Sequence, residues 1–434
     1  MSNQTRSGDA RKTRSLLSGL VIAPVFIASG FIAAGFMAPV LGAGLQGAIA
    51  EQGVAIGDAK AGAEVSGDAP LVLAQLAAPT TTAEYQRQLQ AYQQAHGAFE
   101  EDASAYWSAV SDKRRIRNVK RRDHVEISAD DYVLEQPPVY SGPKRPINPF
   151  PEPEVEKPRR PARALPLVAD FLRAATQHFQ FTPQRPANEI DFKRAYARAA
   201  ATEGLNREQA VRVYSFETGG NGGYDMQSGF TPGRPGGHAI STAVGYNQLL
   251  TTNTVELLAE QGDRMLRVLN ERAQTLAGPA RVTMEHKIAV LKRMIAFCRS
   301  VPDDWNQHEK LANTEQGWGV HAMVLDIDVG PLLQTHKLLT SVIFARNKGT
   351  TRPLGAAELE MMNLTGDGTG LDMVTMPPAL REHVPTSNFF QRNGYERNPV
   401  AVRNNTVAKL FAVMNARMDS NQTLPGAREL AGVF

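Results

Sequence analysis

Glu217 closes an apolar helical run in "VRVYSFETGG" and is followed at once by Thr218, Gly219, Gly220, Asn221, Gly222 and Gly223. A lone carboxyl in that setting has a definite chemistry. Ala210, Val213, Tyr214 and Glu217 fall on nearly one face of a helix, because steps of three and four residues overlay there. The carboxyl therefore shares a face with core residues, and its ionised form is disfavoured by desolvation and by the negative end of the helix dipole. Both effects raise its pKa, and an acid that keeps its proton near neutrality can serve as a general acid. The glycines that follow let the backbone turn sharply and approach a ligand closely. Further on, "STAVGYNQLL" supplies Ser241, Gly245, Tyr246, Asn247 and Gln248. Amide and phenol side chains of this kind hydrogen-bond to N-acetylated sugars and offer them a flat apolar face.

Other chemistries find no pattern. No HExxH occurs, and the histidines at 286, 308, 321, 336 and 383 are scattered without ligand spacing. "DIDVG" (Asp326 to Gly330) and "TGDGTGLD" (Thr365 to Asp372) are fragments of a calcium loop and read as turns. A phosphate-binding glycine loop of the GxxxxGK[ST] type and a serine nucleophile elbow are both missing. The one cysteine, Cys298, excludes an intramolecular disulfide and a cysteine-based zinc site, and reads as core packing. Neither a metal nor a cofactor is expected.

The elements that must position Glu217 are helices. Apolar residues recur at helical spacing over 167–178, 189–203, 207–217, 251–276, 282–300, 331–346 and 403–418, with Gly, Pro, Asn and Asp between them. No run alternates convincingly as a strand. Gly204 stops one helix, and Asn206 with Gln209 three positions on starts the next as a capping box. The fold class expected is mainly α.

The N-terminal part has a different organisation. Arg6, Arg11, Lys12 and Arg14 precede Leu16 to Gly42, 27 residues without a charge, long enough to span a bilayer. The basic flank predicts export of everything downstream, with residues 1–50 acting either as a cleaved signal peptide or as an inner-membrane anchor. Residues 51–82 are rich in Ala and Gly and read as a flexible spacer. Tyr85, Tyr92, Phe99 and Tyr106 recur every seven residues, with His96 on the same seam, so 83–130 reads as a helical region. Packing on its own domain and a coiled coil are both consistent with that seam, and 83–124 could hold a protein partner or a second copy. Seven basic residues in "DKRRIRNVKRRDH" (Asp112 to His124) read as a solvated face or a contact with anionic envelope material. Nucleic acid is not expected, because no binding motif accompanies the run and the chain is exported. Residues 131–166 are dense in proline and form an extended linker, which sets the main boundary before a C-terminal domain at 167–434. The net charge of +3 is mildly basic, enough to favour acidic surroundings such as an envelope polymer but too weak to imply nucleic acid.

A helix, "GLN", a helix ending in Glu-Thr-Gly, and "STAVGYNQLL" opening another helix together resemble the catalytic core of the soluble lytic transglycosylases, a lysozyme-like family. The resemblance covers about residues 190–260. It implies a lysozyme-like helical domain in which Glu217 is the single catalytic acid. Thr218 matches the serine that follows it in the family; Gly245 and Gln248 match the Gly and Gln of the Gly-Leu-Met-Gln motif. Ser241, Tyr246 and Asn247 would join them along the glycan. It also implies a periplasmic enzyme acting on peptidoglycan strands. Two departures stand out: Tyr246-Asn247 replaces Leu-Met, and "QSGFTPGRPGGH" (Gln227 to His238) lengthens the gap between the two motifs. The family's later Ala-Tyr-Asn motif is missing, with Tyr395 and Trp318 the candidate substitutes, and residues 350–434 match nothing in the family pattern. A non-catalytic glycan-binding or scaffold protein of the envelope is the alternative.

Overall fold

Helix is the only regular structure among the residues that the computed structural model describes, which are 81–149, 165–230 and 237–434. The segment Leu16 to Gly42, the spacer to residue 80, and part of the proline-rich linker lie outside them. Among the described residues no helix is long and apolar enough to cross a membrane.

The chain begins with α1 (Thr82–Arg122) and continues through α2 (Val168–Phe179), α3 (Glu189–Glu203) and α4 (Arg207–Thr218). Next come α5 (Thr251–Thr275), α6 (Gly278–Cys298), α7 (Trp305–Ala312), α8 (Glu315–His321) and α9 (Gly330–Asn347). The C-terminal part holds α10 (Ala356–Thr365), α11 (Asp367–Thr375), and the short α12 (Pro378–Arg381), α13 (Arg392–Glu396) and α14 (Pro399–Arg403). It ends with α15 (Val407–Asn421) and α16 (Pro425–Gly432). The long periodic segments lie where the sequence places them. "TGDGTGLD", expected as a turn, instead forms the start of α11, while Asp326 does cap a turn, accepting from the amides of Asp328 (2.9 Å) and Val329 (3.1 Å).

Two helices are buried on nearly all sides and organise the rest. α4 buries Gln209, Ala210, Val211 and the run Val213 to Phe216, and packs against α3, α10, α15 and α16. α9 buries Leu332 through His336 together with Leu338 and Leu339, and packs against α3, α5, α10 and α11. A helix covered on nearly all sides belongs at the centre of a domain. α5 and α6 form a hairpin beside α9, and α2 packs on α8.

α1 is not set apart from this body. Trp107 stacks near Tyr395 at 5.7 Å, and Glu100 takes a two-pronged bond from Arg392, both 2.8 Å. The basic run that reads as a solvated face does much of the docking. Arg117, 1% exposed, donates to the carbonyls of Asp131 (2.8 Å) and Asn388 (3.1 Å) and lies 4.4 Å from the Tyr132 ring. Arg114 donates to the Asn388 and Phe390 carbonyls, Lys120 pairs with Asp131 at 2.7 Å, and Arg121 pairs with Asp372. A guanidinium suits this task because it donates in several directions at once. At its other half α1 carries the aromatic seam, where Tyr140 packs 5.4 Å from both His96 and Phe99.

Candidate functional site

Glu217 stands in the last turn of α4, which Gly219 ends in a left-handed conformation at φ 70°. Its side chain is partly exposed, is bonded to groups of α10 and feels charges carried by α9 and α15. Asn363 of α10 donates to Glu217 Oε1 at 2.9 Å and reaches Glu360 Oε1 at 3.5 Å. Glu360, one turn before Asn363 and wholly buried, is itself in hydrogen-bonding contact with Glu217. Lys337 of α9 and Arg417 of α15 supply positive charge nearby. Burial pushes the Glu217 carboxyl up to about 7, against the lowering effect of Glu360, Lys337, Arg417 and Asn363. Burial, and then the Glu217 charge, raise Glu360 well above the usual carboxyl range. Two carboxyls in contact cannot both ionise near neutrality, so the pair retains a proton there.

The second motif forms a closed turn next to α9. Val244 bridges both Gln227 and Leu249, and the chain between reverses through Gly245 at φ 89°. A side chain at 245 would put its Cβ 2.0 Å from Gln334 Nε2, so the glycine is required by the close approach of α9. Gln334, fully buried, accepts from the Asn247 amide at 2.7 Å, while Asn247 Nδ2 donates to the Gln334 carbonyl (2.7 Å) and the Tyr196 hydroxyl (3.1 Å). One turn further along α9 comes Lys337, so the helix that locks the turn also carries the ammonium beside the carboxyl pair.

The expected sugar contacts divide accordingly. Tyr246 and Asn247 were expected to face a glycan, but both side chains are completely buried. Tyr246 packs among Tyr214 (4.8 Å), Phe192 (5.2 Å) and Tyr196 (5.4 Å), and its hydroxyl donates to Glu189. They build the wall from inside: both side chains are closed off from solvent, and the groups to which the Tyr246 hydroxyl and Asn247 Nδ2 donate belong to the protein itself. Ser241 is buried too, accepting from the Ala243 amide at 3.1 Å, and Thr218 donates to the Tyr214 carbonyl at 2.7 Å within α4. Gln248 is partly exposed; its side-chain amide donates to the Gly245 carbonyl at 2.9 Å. A pocket of about 500 Å³ borders the glycine turn, lined by Asn221, Gly222, Gly223, Met226 and Phe230 among others, and its lining includes neither Glu217 nor Gln248. Tyr395, a candidate substitute for the family tyrosine, is buried against Trp107 and Phe390 at the α1 contact.

Sequence reasoning missed Glu360, Asn363, Lys337 and Arg417. Glu360 and Asn363 sit on α10 with ordinary spacing, and Asn363 is 146 positions from Glu217. Nothing local marks them. Beyond Lys337 lies a further set of acids. Glu256 of α5 is pushed up to about 7, by burial first and then by Glu260, with Asp303 and Asp367 adding to it and Lys337 opposing. Asp367 accepts from Ser341 at 2.6 Å. Among the described residues no group of His, Cys, Asp and Glu is arranged to hold a metal ion.

No family model, no curated protein and no solved structure matches the chain.

Proposed function

We propose that the chain is an exported lytic transglycosylase that cleaves the β-1,4 bond between N-acetylmuramic acid and N-acetylglucosamine in peptidoglycan. The observation that carries this reading is the place of the Glu217 carboxyl at the end of a buried helix, partly open to solvent and held by Asn363, where burial raises its pKa to about 7. Glu360 does not turn the site into a two-carboxyl glycosidase. Retaining enzymes separate their carboxyls by about 5–5.5 Å and inverting ones by roughly 6.5–9.5 Å, with room for a sugar or water between them. Carboxyls in direct contact leave no such room, which fits chemistry with one acid.

In that chemistry the Glu217 proton passes to the glycosidic oxygen as the C1–O bond of the muramic sugar breaks. The acetamido oxygen of the substrate supports the cation that develops. The Glu217 carboxylate then takes the proton of the C6 hydroxyl, whose oxygen closes on C1 to give the 1,6-anhydro product. Proton and electron pairs balance without a metal or cofactor. Leu16 to Gly42 would deliver the domain to the periplasm or hold it at the inner membrane.

The test incubates the full-length protein with purified peptidoglycan and reads the products by mass spectrometry. Release of 1,6-anhydromuropeptides by the wild type and none by Glu217→Gln is expected. Equal product from both, or none from either, would overturn the reading. The missing Ala-Tyr-Asn motif, with its candidate substitute Tyr395 buried at the α1 contact, favours the alternative of a non-catalytic glycan binder, which the same assay would reveal as retention on peptidoglycan without turnover.

A further inference from the structure

Glu360 is wholly buried, and its Oε2 has no N–H or O–H directed at it. An ionised carboxylate in that position would keep a buried anionic oxygen without a donor, one of the most costly arrangements in a protein interior. A protonated carboxyl removes the problem, since its O–H can be given to the adjacent Glu217. Asn363 is placed to complete the arrangement: its Nδ2 lies 2.9 Å from Glu217 Oε1 and 3.5 Å from Glu360 Oε1. The charged groups facing the pair are Lys337 from α9 and Arg417 from α15, and both favour a single negative charge there.

We propose that Glu360 is a positioning acid that keeps its own proton throughout and donates it in a hydrogen bond to the carboxylate that Glu217 becomes. The inference rests on the transglycosylase reading and assigns that site a residue outside the segment that carries the resemblance. Glu360 touches neither sugar nor leaving group. When Glu217 releases its proton, the negative charge appears beside two ready donors, Glu360 O–H and Asn363 N–H, and when Glu217 regains a proton from the C6 hydroxyl the hydrogen bonds relax. Charge-assisted bonds of this type are about twice as strong as neutral ones, so the pair favours the anion. This lowers a carboxyl that burial alone would raise further, bringing it within reach of neutral pH.

Two substitutions separate this role from others. Glu360→Gln keeps a neutral donor of the same shape, and its turnover is expected to stay within about threefold of wild type with the same pH profile. Glu360→Leu removes the donor, and the alkaline limb of activity, where Glu217 loses its proton, is expected to move up by about one pH unit. Loss of activity in Glu360→Gln as complete as in Glu217→Gln would overturn the proposal, because it would mean that Glu360 works ionised. A Glu360→Leu profile superimposed on the wild type would overturn it as well. A readout independent of turnover is the infrared difference spectrum of the full-length protein at pH 8, wild type minus Glu360→Gln, where a protonated-carboxyl C=O band is expected. Absence of that band overturns the proton assignment. Its presence in a protein that releases no anhydro product supports the assignment and removes the transglycosylase reading instead.

Discussion

Replacing Glu217 by Gln should stabilise the protein while removing its proposed activity. In the unfolded chain the carboxyl titrates near 4.5, whereas in the fold burial holds it up to about 7. Between these values the folded state binds more protons than the unfolded one, so this group makes stability fall as the pH rises through the window. The full gap corresponds to about 3 kcal/mol. Glu217 keeps some solvent contact and shares its titration with Glu360, which brings the expected effect down to about 1–2 kcal/mol. Gln has no charge to desolvate, and its Oε1 can still accept from Asn363 while its Nε2 donates towards Glu360. Urea unfolding of both proteins, followed by circular dichroism at pH 5 and pH 8, measures the difference. Glu217→Gln is expected to exceed the wild type by about 1–2 kcal/mol at pH 8 and to come close to it at pH 5. A variant less stable at both pH values, or a difference that does not change with pH, would refute the reasoning that the fold holds this acid against its own stability.

Other perturbations test the frame around the site. Gly245→Ala adds a left-handed alanine and pushes Gln334 away, leaving the Asn247 amide without its acceptor. The expected loss is about 3–5 kcal/mol, checked by denaturation and by faster hydrogen exchange at Asn247. Arg117→Met keeps much of the buried volume but strands the Asp131 carbonyl and leaves the Asn388 carbonyl to Arg114 alone; a loss of about 1–3 kcal/mol and early proteolytic release of α1 are expected. His321 and His336 are both pushed down to about 4 by burial. For these bases the unfolded state binds the extra proton, so the stability they allow is present above about 6.5 and is lost as the pH falls towards 4. The ring nitrogens of His336 have no hydrogen-bond partner in the protein, whereas His321 is bonded to Thr254 (2.8 Å) and to the Thr242 carbonyl (3.0 Å). His336→Leu should therefore be near neutral at pH 8 and stabilising by about 1 kcal/mol at pH 5, while His321→Leu is destabilising at both, as thermal melts at the two pH values would report.

What the sequence determined by itself is local. Asn206 and Gln209 fix the start of α4, Gly204 and Gly219 fix the ends of α3 and α4, and the apolar periodicity of the long helices needs no tertiary context. The placement of Glu217 on a buried face at a helix end follows from the same grammar. The short helices α7, α8, α10, α11, α13 and α14 carry too few turns for a periodic signal, and they form because neighbours cover them. The fate of the basic run also lay beyond local reading. Whether Arg114, Arg117, Lys120 and Arg121 meet water or carbonyls depends on where residues 386–390 come to rest, and those carbonyls lie far along the chain.

The tertiary structure decided the composition of the site. Glu360, Asn363, Lys337 and Arg417 reach Glu217 from three separate helices, and no spacing rule connects residues whose proximity is set by how α4 packs on α10 and α15. It also decided that Tyr246 and Asn247 face inward, because the turn they occupy is bonded to Gln334 and Tyr196. Periodicity and caps are interactions within a few residues and are written in the chain; the proton affinity of a carboxyl depends on every charge and dipole around it, and only the folded chain assembles those.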